Sequence, residues 1–264
     1  MNKFHFLLLA FFLFAFSSCS LNHAKIDNNL KKYFDSSNVE GCFALLNNQM
    51  GNITVYNMKL DTQRLSTGTS FKIPETLIGI QTGKIINENS TLGNDSSGKN
   101  NPTLKEAFAS SSISYFQSLA REIGKDTLKS WLDSLGYGNK KINGPVDSFW
   151  LNNELKISPD EQLGLMSKLY FDQLPFQKYA QEMVSNMMLQ EDDSLYKFSY
   201  TTGTGIDEKN HQIAWNLGWI EENRHIYFFV TFIKTPDESM DVKTTAIHIS
   251  KSVLKALGFF KGEK

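Results

Sequence analysis

The chain has 264 residues, 41% of them hydrophobic, enough to bury a sizeable core in one large domain. Its 27 Lys and Arg nearly cancel its 28 Asp and Glu, and the charges form neither runs nor repeats, which argues against a nucleic-acid partner with its basic footprint. Cys19 and Cys42 are the only cysteines, so a disulfide framework is excluded.

The stretch "MNKFHFLLLAFFLFAFSSC" carries a lysine near its start, an apolar run from Phe6 to Phe16, and small residues before Cys19. That is a secretory signal, too short and wrongly flanked for a stable membrane span. Its Phe-Ser-Ser-Cys ending is similar to a bacterial lipobox. Residues 1–19 are therefore read as a lipoprotein signal peptide, with Cys19 the lipidated N-terminus. The chain is expected in the cell envelope, lipid-anchored on the periplasmic side or at the outer membrane. Residues 20–38 read as a tether and N-terminal segment holding a short amphipathic piece, "IDNNLKKYFDS". Residues 39–264 follow without a Pro/Gly/Ser linker and read as one domain. Cys42 sits in a strand-like run and reads as a small buried hydrophobe.

"CFALLNNQMGNITVYN" is two apolar runs split by a polar, glycine-containing turn, the pattern of a β-hairpin. A helix is expected to start near Thr69, with Pro74 tolerated in its first turn, and to continue through "ETLIGIQTG". "TLKEAFA", "SYFQSLAREIG" and "KDTLKSWLDSLG" are three further helical stretches, each closed by a polar or glycine break. Ser158-Pro159-Asp160-Glu161 has the form of a helix start, with Ser as N-cap, Pro at the first position and Glu three after the cap. "HQIAWNLGWIEENRHIYFFVTFIK" gives two long β-rich runs around the turn "EENR", and "AIHISKSVLKALG" a last helix ending at Gly258. Strands come early and late with helices between. The expected fold class is α+β, an antiparallel sheet flanked by helices with an all-helical subregion. The first and late strands are expected to pair, which sets the Thr69 helix against the late hairpin.

"TSFKIPETLIG", "SSISYFQSLAREIG", "YGN", "NGPVDSFWLNNELKIS", "TTGTG" and "AWNLGWIE" occur in that order. Together they resemble the penicillin-recognising family, and most closely its class D β-lactamases, over roughly residues 39–258. S-x-x-K and K-T-G signatures mark related enzymes. The resemblance puts Thr69 in the place of the nucleophilic serine and Ser70 in the place of a variable residue. It makes Lys72 the general base, carrying a carbon dioxide-derived carbamate, a reaction that an apolar surround favours by keeping the amine neutral. Trp150 would hold that carbamate. Ser111 would relay a proton to the leaving nitrogen, and Ile113 would cover the lysine. Thr201, Thr202 and Gly203 stand where the family has Lys-Thr-Gly, with Thr202 binding a substrate carboxylate and Gly203 permitting close approach. The N–H groups of Thr69 and Thr204 would form the oxyanion hole. No metal and no cofactor beyond the carbamate are implied.

Three residues depart from the family pattern. Thr69 adds a methyl that stiffens χ1 and crowds a tetrahedral centre. Thr201 removes a cation, and the family's arginine on the last helix falls on Ala246, with Lys243 one turn earlier. Ser70 is a poor alternative nucleophile, because helix neighbours point about 100° apart and would leave Lys72 on the far side. Tyr137-Gly138-Asn139 reads mainly as a glycine turn after a helix. His23, His211, His225 and His248 lack metal-ligand spacing, and Glu154 is not placed like a deacylating glutamate.

Three functions stay open. The first is a class D-like β-lactamase, a hydrolase that acylates at Thr69 and acts on a β-lactam. The second is a non-catalytic binding or sensor lipoprotein on the same fold. The third is a threonine-nucleophile amidase or peptidase acting on cell-wall peptides.

Overall fold

The computed structural model describes residues 24–93 and 101–264. The expected signal peptide and Cys19 lie outside the described residues. A first strand, β1 (Ala24–Ile26), and a short helix, α1 (Lys31–Asp35), precede the hairpin of β2 (Glu40–Asn47) and β3 (Asn52–Tyr56). A one-turn helix, α2 (Met58–Asp61), and a short strand, β4 (Leu65–Ser66), lead to a 3₁₀ turn, Gly68–Phe71, which runs into α3 (Lys72–Gln81). The helical block holds α4 (Leu104–Ser110), α5 (Ile113–Ile123) and α6 (Lys125–Leu135). After β5 (Lys156–Ile157) come α7 (Pro159–Tyr170) and α8 (Lys178–Met188). The chain closes with β6 (Leu189–Asp192), β7 (Tyr196–Ile206), β8 (Gln212–Glu222), β9 (His225–Thr235) and α9 (Val242–Ala256).

Seven strands form one sheet in the order β1-β3-β2-β9-β8-β7-β6, antiparallel at every step except β1 with β3. The early hairpin and the late hairpin thus join through β2 and β9, as the sequence led one to expect. The "EENR" turn narrows to two residues, Asn223 and Arg224, both with positive φ, the geometry that matches strand twist in a tight hairpin. Because strand side chains alternate, the long strands feed two separate cores. One face meets the helical block through Phe71, Leu77, Trp215 and Phe232. The other meets α9 through Phe198, Phe229, Ile249 and Val253.

Local sequence accounts for the helix ends. Ser158 and Glu161 form the reciprocal capping box at α7, with Pro159 at its first position, and Thr103 with Glu106 does the same for α4. Arg64 donates through Nε and Nη2 to the Glu161 carboxylate, tying the approach to β4 onto α7.

The N-terminal segment is part of the domain, which corrects the expectation of a tether ahead of residue 39. β1 pairs with β3, and Leu30 and Phe34 lie buried in the core that faces α9. The amphipathic "IDNNLKKYFDS" segment finds its apolar partner inside the fold.

Asp61, at the end of α2, is buried with its Oδ1 unpartnered. Desolvation, with Asp160 adding repulsion, pushes its carboxyl from 3.8 up to about 7. A raised folded-state value means the native state holds a proton that the unfolded chain has released. The stability this provides is full below about pH 4 and is lost as pH rises toward 7. We predict that urea unfolding of wild type and Asp61→Asn, compared at pH 5 and pH 8, will show wild type losing about 2 kcal/mol more over that interval. Parallel losses in the two proteins would contradict the assignment.

Candidate active site

The site forms where the sheet runs out of partners. β6 pairs with β7 only as far as Ser199, so from Tyr200 onward one edge of β7 is open. Along such an edge alternate residues turn both backbone groups outward. Two of them are used. The Thr204 N–H donates to Thr69 Oγ1 at 2.8 Å, and the Thr202 carbonyl accepts from Ser111 Oγ at 3.3 Å. Thr69, Ser111, Thr202 and Thr204 are therefore brought together although they are far apart in sequence.

Two glycines permit this approach. Gly68 has φ of 49°, and a Cβ there would collide with the Thr204 carbonyl. A Cβ on Gly203 would collide with the backbone N of Ser70 and stand 2.6 Å from its Cα. The turn bearing Thr69 thus sits on β7 backbone-to-backbone. Trp215 Nε1 donates to the Ser66 carbonyl at 2.9 Å and fixes the segment entering that turn.

Lys72 opens α3 and is 2% exposed. Its Nζ donates to the Phe108 carbonyl at 2.8 Å and to Ser111 Oγ at 2.6 Å, and it lies 4.8 Å from the centre of the Phe108 ring. Burial, with the positive charge of Lys243 adding to it, holds this amine well below the usual lysine range. Ser111 reaches it because it caps α4 in the left-handed conformation, φ 56° and ψ 47°, which turns its side chain out of the helix. Glu75, three residues after Lys72, does not pair with it. Burial pushes the Glu75 carboxyl well above its usual range, and neither oxygen has a partner. Acid and amine are both neutral.

The remaining expected residues fall into two groups. Trp150 is buried and stacks on Phe71 at 5.5 Å, next to Lys72 in the chain. Thr201 is buried in β7 opposite Leu217. Ser70 is a packing residue as read: its hydroxyl donates to the Thr67 carbonyl at 2.7 Å and accepts from Gln162 Nε2 at 3.2 Å. The Tyr137-Gly138-Asn139 turn is a clasp on β5, with Asn139 N–H donating to the Lys156 carbonyl and Asn139 Oδ1 accepting from Lys156 N–H.

Ile113 corrects an expectation. It is 45% exposed at the start of α5, and the ring packed on Lys72 is that of Phe108. The oxyanion-hole expectation also changes in detail, because the Thr204 N–H is already engaged by the Thr69 hydroxyl. Sequence reading missed Phe108, Gln162 and the reach of Lys243. Phe108 acts through its carbonyl and a ring indistinguishable from any core aromatic. Gln162 follows the capping-box glutamate with nothing to mark it.

Similarity to known proteins covers the same span. Residues 31–257 match the family described as the penicillin binding protein transpeptidase domain. The chain is 34% identical to the probable β-lactamase YbxI of Bacillus subtilis over 253 residues, which is 93% of this chain and 92% of that protein. Among solved structures it superposes on FUS-1 (OXA-85), a class D β-lactamase from Fusobacterium nucleatum subsp. polymorphum. The TM-score is 0.83 at 29% identity, covering 90% of this chain and all of the other. The C-terminal domain of the Bacillus licheniformis BlaR penicillin-receptor superposes with a TM-score of 0.83 at 26% identity, covering 90% of this chain and 98% of that one.

The close approach at Gly203 gives a sharp contrast with Gly164, an exposed glycine in α7 where a Cβ meets nothing within 4 Å. We predict that Gly203→Ala will lower stability by about 2 kcal/mol or more through overpacking. Gly164→Ala should raise it by about 0.5–1 kcal/mol through helix propensity. Chemical denaturation of both variants checks this, and equal midpoints would refute the geometry.

Proposed function

The chain belongs to the penicillin-binding protein transpeptidase-domain family, on its class D β-lactamase side, and from that premise we propose that it is a class D-like β-lactamase acylated at Thr69. One observation carries the reading. A buried, neutral Lys72 shares a hydrogen-bonded cluster with Ser111, and through the edge of β7 that cluster reaches the Thr69 hydroxyl.

The chemistry follows from the residues. Thr69 Oγ1 adds to the lactam carbonyl carbon, and the carbonyl oxygen takes over the Thr204 N–H that the hydroxyl now holds. Backbone donors of this kind contribute about 3 kcal/mol in the transition state. The C–N bond breaks, Ser111 passes a proton to the ring nitrogen, and an ester on Thr69 remains for water to cleave. The amine of Lys72 fits a carbamate, since it is uncharged, buried and lined by the Phe108 ring. A carbamate formed there from carbon dioxide would supply an anionic base, with Trp150 the residue to hold it. Thr69 must leave its resting hydrogen bond to react, and its β-branched side chain has few alternative rotamers. Acylation is therefore slow for this family.

A sensor reading has its own support. The same fold serves in the penicillin-receptor domain, and the Thr69 hydroxyl rests on the donor a substrate needs. The two readings differ in the lifetime of the ester, which a hydrolase clears and a receptor keeps. We also propose that residues 1–19 direct export and that Cys19 carries a lipid anchoring the domain to the cell envelope. Labelled palmitate should enter the wild type and not Cys19→Ala.

Intact-protein mass spectrometry with benzylpenicillin tests the chemistry. We expect an adduct that Thr69→Ala abolishes and that Thr69→Ser forms about ten- to a hundredfold faster, given the cost of a misplaced nucleophile. An adduct that persists in Thr69→Ala would place the chemistry elsewhere.

A further inference from the structure

The two positions where resemblance expects cations carry none. Thr201 is buried in β7, and Ala246 packs into the core between α9 and the sheet. A cation nevertheless reaches the cleft from another position. Lys243, in the first turn of α9, places its Nζ 3.5 Å from the Ala109 carbonyl. That carbonyl is next to the Phe108 carbonyl that holds Lys72. The two lysines thus reach consecutive carbonyls at the end of α4, one neutral and one charged, and Lys243 is the charged neighbour whose field adds to burial at Lys72.

The setting holds Lys243 in place without neutralising it. Asp241, the nearest acid in the chain, is committed to capping α9, accepting from Thr244 N–H at 3.1 Å and from Thr244 Oγ1 at 2.6 Å. Among the described residues Lys243 has no carboxylate within ion-pair distance. Two turns along α9, Ser250 Oγ accepts from Asn216 Nδ2 at 2.8 Å and lies 2.8 Å from Thr231 Oγ1, pinning the helix to β8 and β9 in a buried polar link. The cation is half-buried, where an ionic hydrogen bond is screened less than at an open surface.

We propose that Lys243 is the anion anchor of this cleft, receiving the carboxylate of the acyl donor and so selecting acidic over neutral substrates. The proposal rests on the reading of this cleft as the acyl-donor site. The carboxylate enters between the end of α4 and the start of α9, on the side of the cleft where Ser111 and Thr202 stand. A single cation replaces the two that Thr201 and Ala246 lack. Its long stem lets Lys243 reach from outside the sheet, whereas a residue at 201 would project from the strand itself.

Binding is tested apart from chemistry by using Thr69→Ala, which cannot be acylated at that residue. Benzylpenicillin and its methyl ester are titrated calorimetrically into Thr69→Ala alone and combined with Lys243→Met or Lys243→Arg, with thermal unfolding confirming that each variant is folded. The expected result is acid binding weakened about ten- to a hundredfold by Lys243→Met, restored by Lys243→Arg, with ester binding unchanged. Equal loss for acid and ester, no loss for either, or no acid binding to Thr69→Ala would overturn the proposal. Lys243-dependent binding without a covalent adduct in the native chain keeps the anchor and refutes the lactamase reading. An adduct at Thr69 without Lys243 dependence does the reverse.

Discussion

The site depends on an unfinished strand pairing. β6 covers β7 for only part of its length, and the uncovered edge leaves backbone groups that must be satisfied. In this fold they are satisfied by side chains that do chemistry. Thr69 takes an N–H and Ser111 takes a carbonyl, so an edge that would otherwise be a template for aggregation becomes the frame of a cleft. Everything near it serves that contact. Gly68 and Gly203 remove the atoms that would hold the turn away, and Trp215 anchors the turn from behind. The Ser70–Gln162 bond ties the same turn to α7.

The second constraint is burial of a lysine without a counter-charge. Enclosing an ammonium in a dry interior costs more than releasing its proton, so Lys72 stays a neutral amine with nucleophilic and basic character. Glu75 would have defeated this had it reached Lys72 as a carboxylate. Its own burial keeps it protonated, and the helix tolerates both groups at some expense of stability. Function and stability pull against each other within one turn of α3.

Much of this architecture was legible because it is local. The hairpin around "NNQMGN", the capping box at Ser158 and the alternation in β8 and β9 are written into a few consecutive residues. The order of motifs then located Thr69, Lys72, Ser111 and the Thr201–Thr204 strand. What escaped reading depends on distance. The N-terminal segment looked like a tether because its partner β3 and the α9 core lie elsewhere in the chain. α8 was overlooked, since its N-cap Gln177 makes no side-chain capping bond and the segment carries no start signal. Ile113 was assigned the cover of Lys72 by its place in a motif, but the end of α4 brings Phe108 there first. The reach of Lys243 depends on how α9 crosses the sheet, which no neighbouring residue encodes.

The most direct measurement of the central claim is the backbone amide of Thr204, followed by NMR hydrogen exchange before and after benzylpenicillin is added. If Thr69 and the open edge of β7 work together, this amide is protected in the free protein. It should then shift while staying protected as the acyl carbonyl replaces the hydroxyl. An amide that exchanges like a free strand edge, and does not respond to penicillin, would contradict the account.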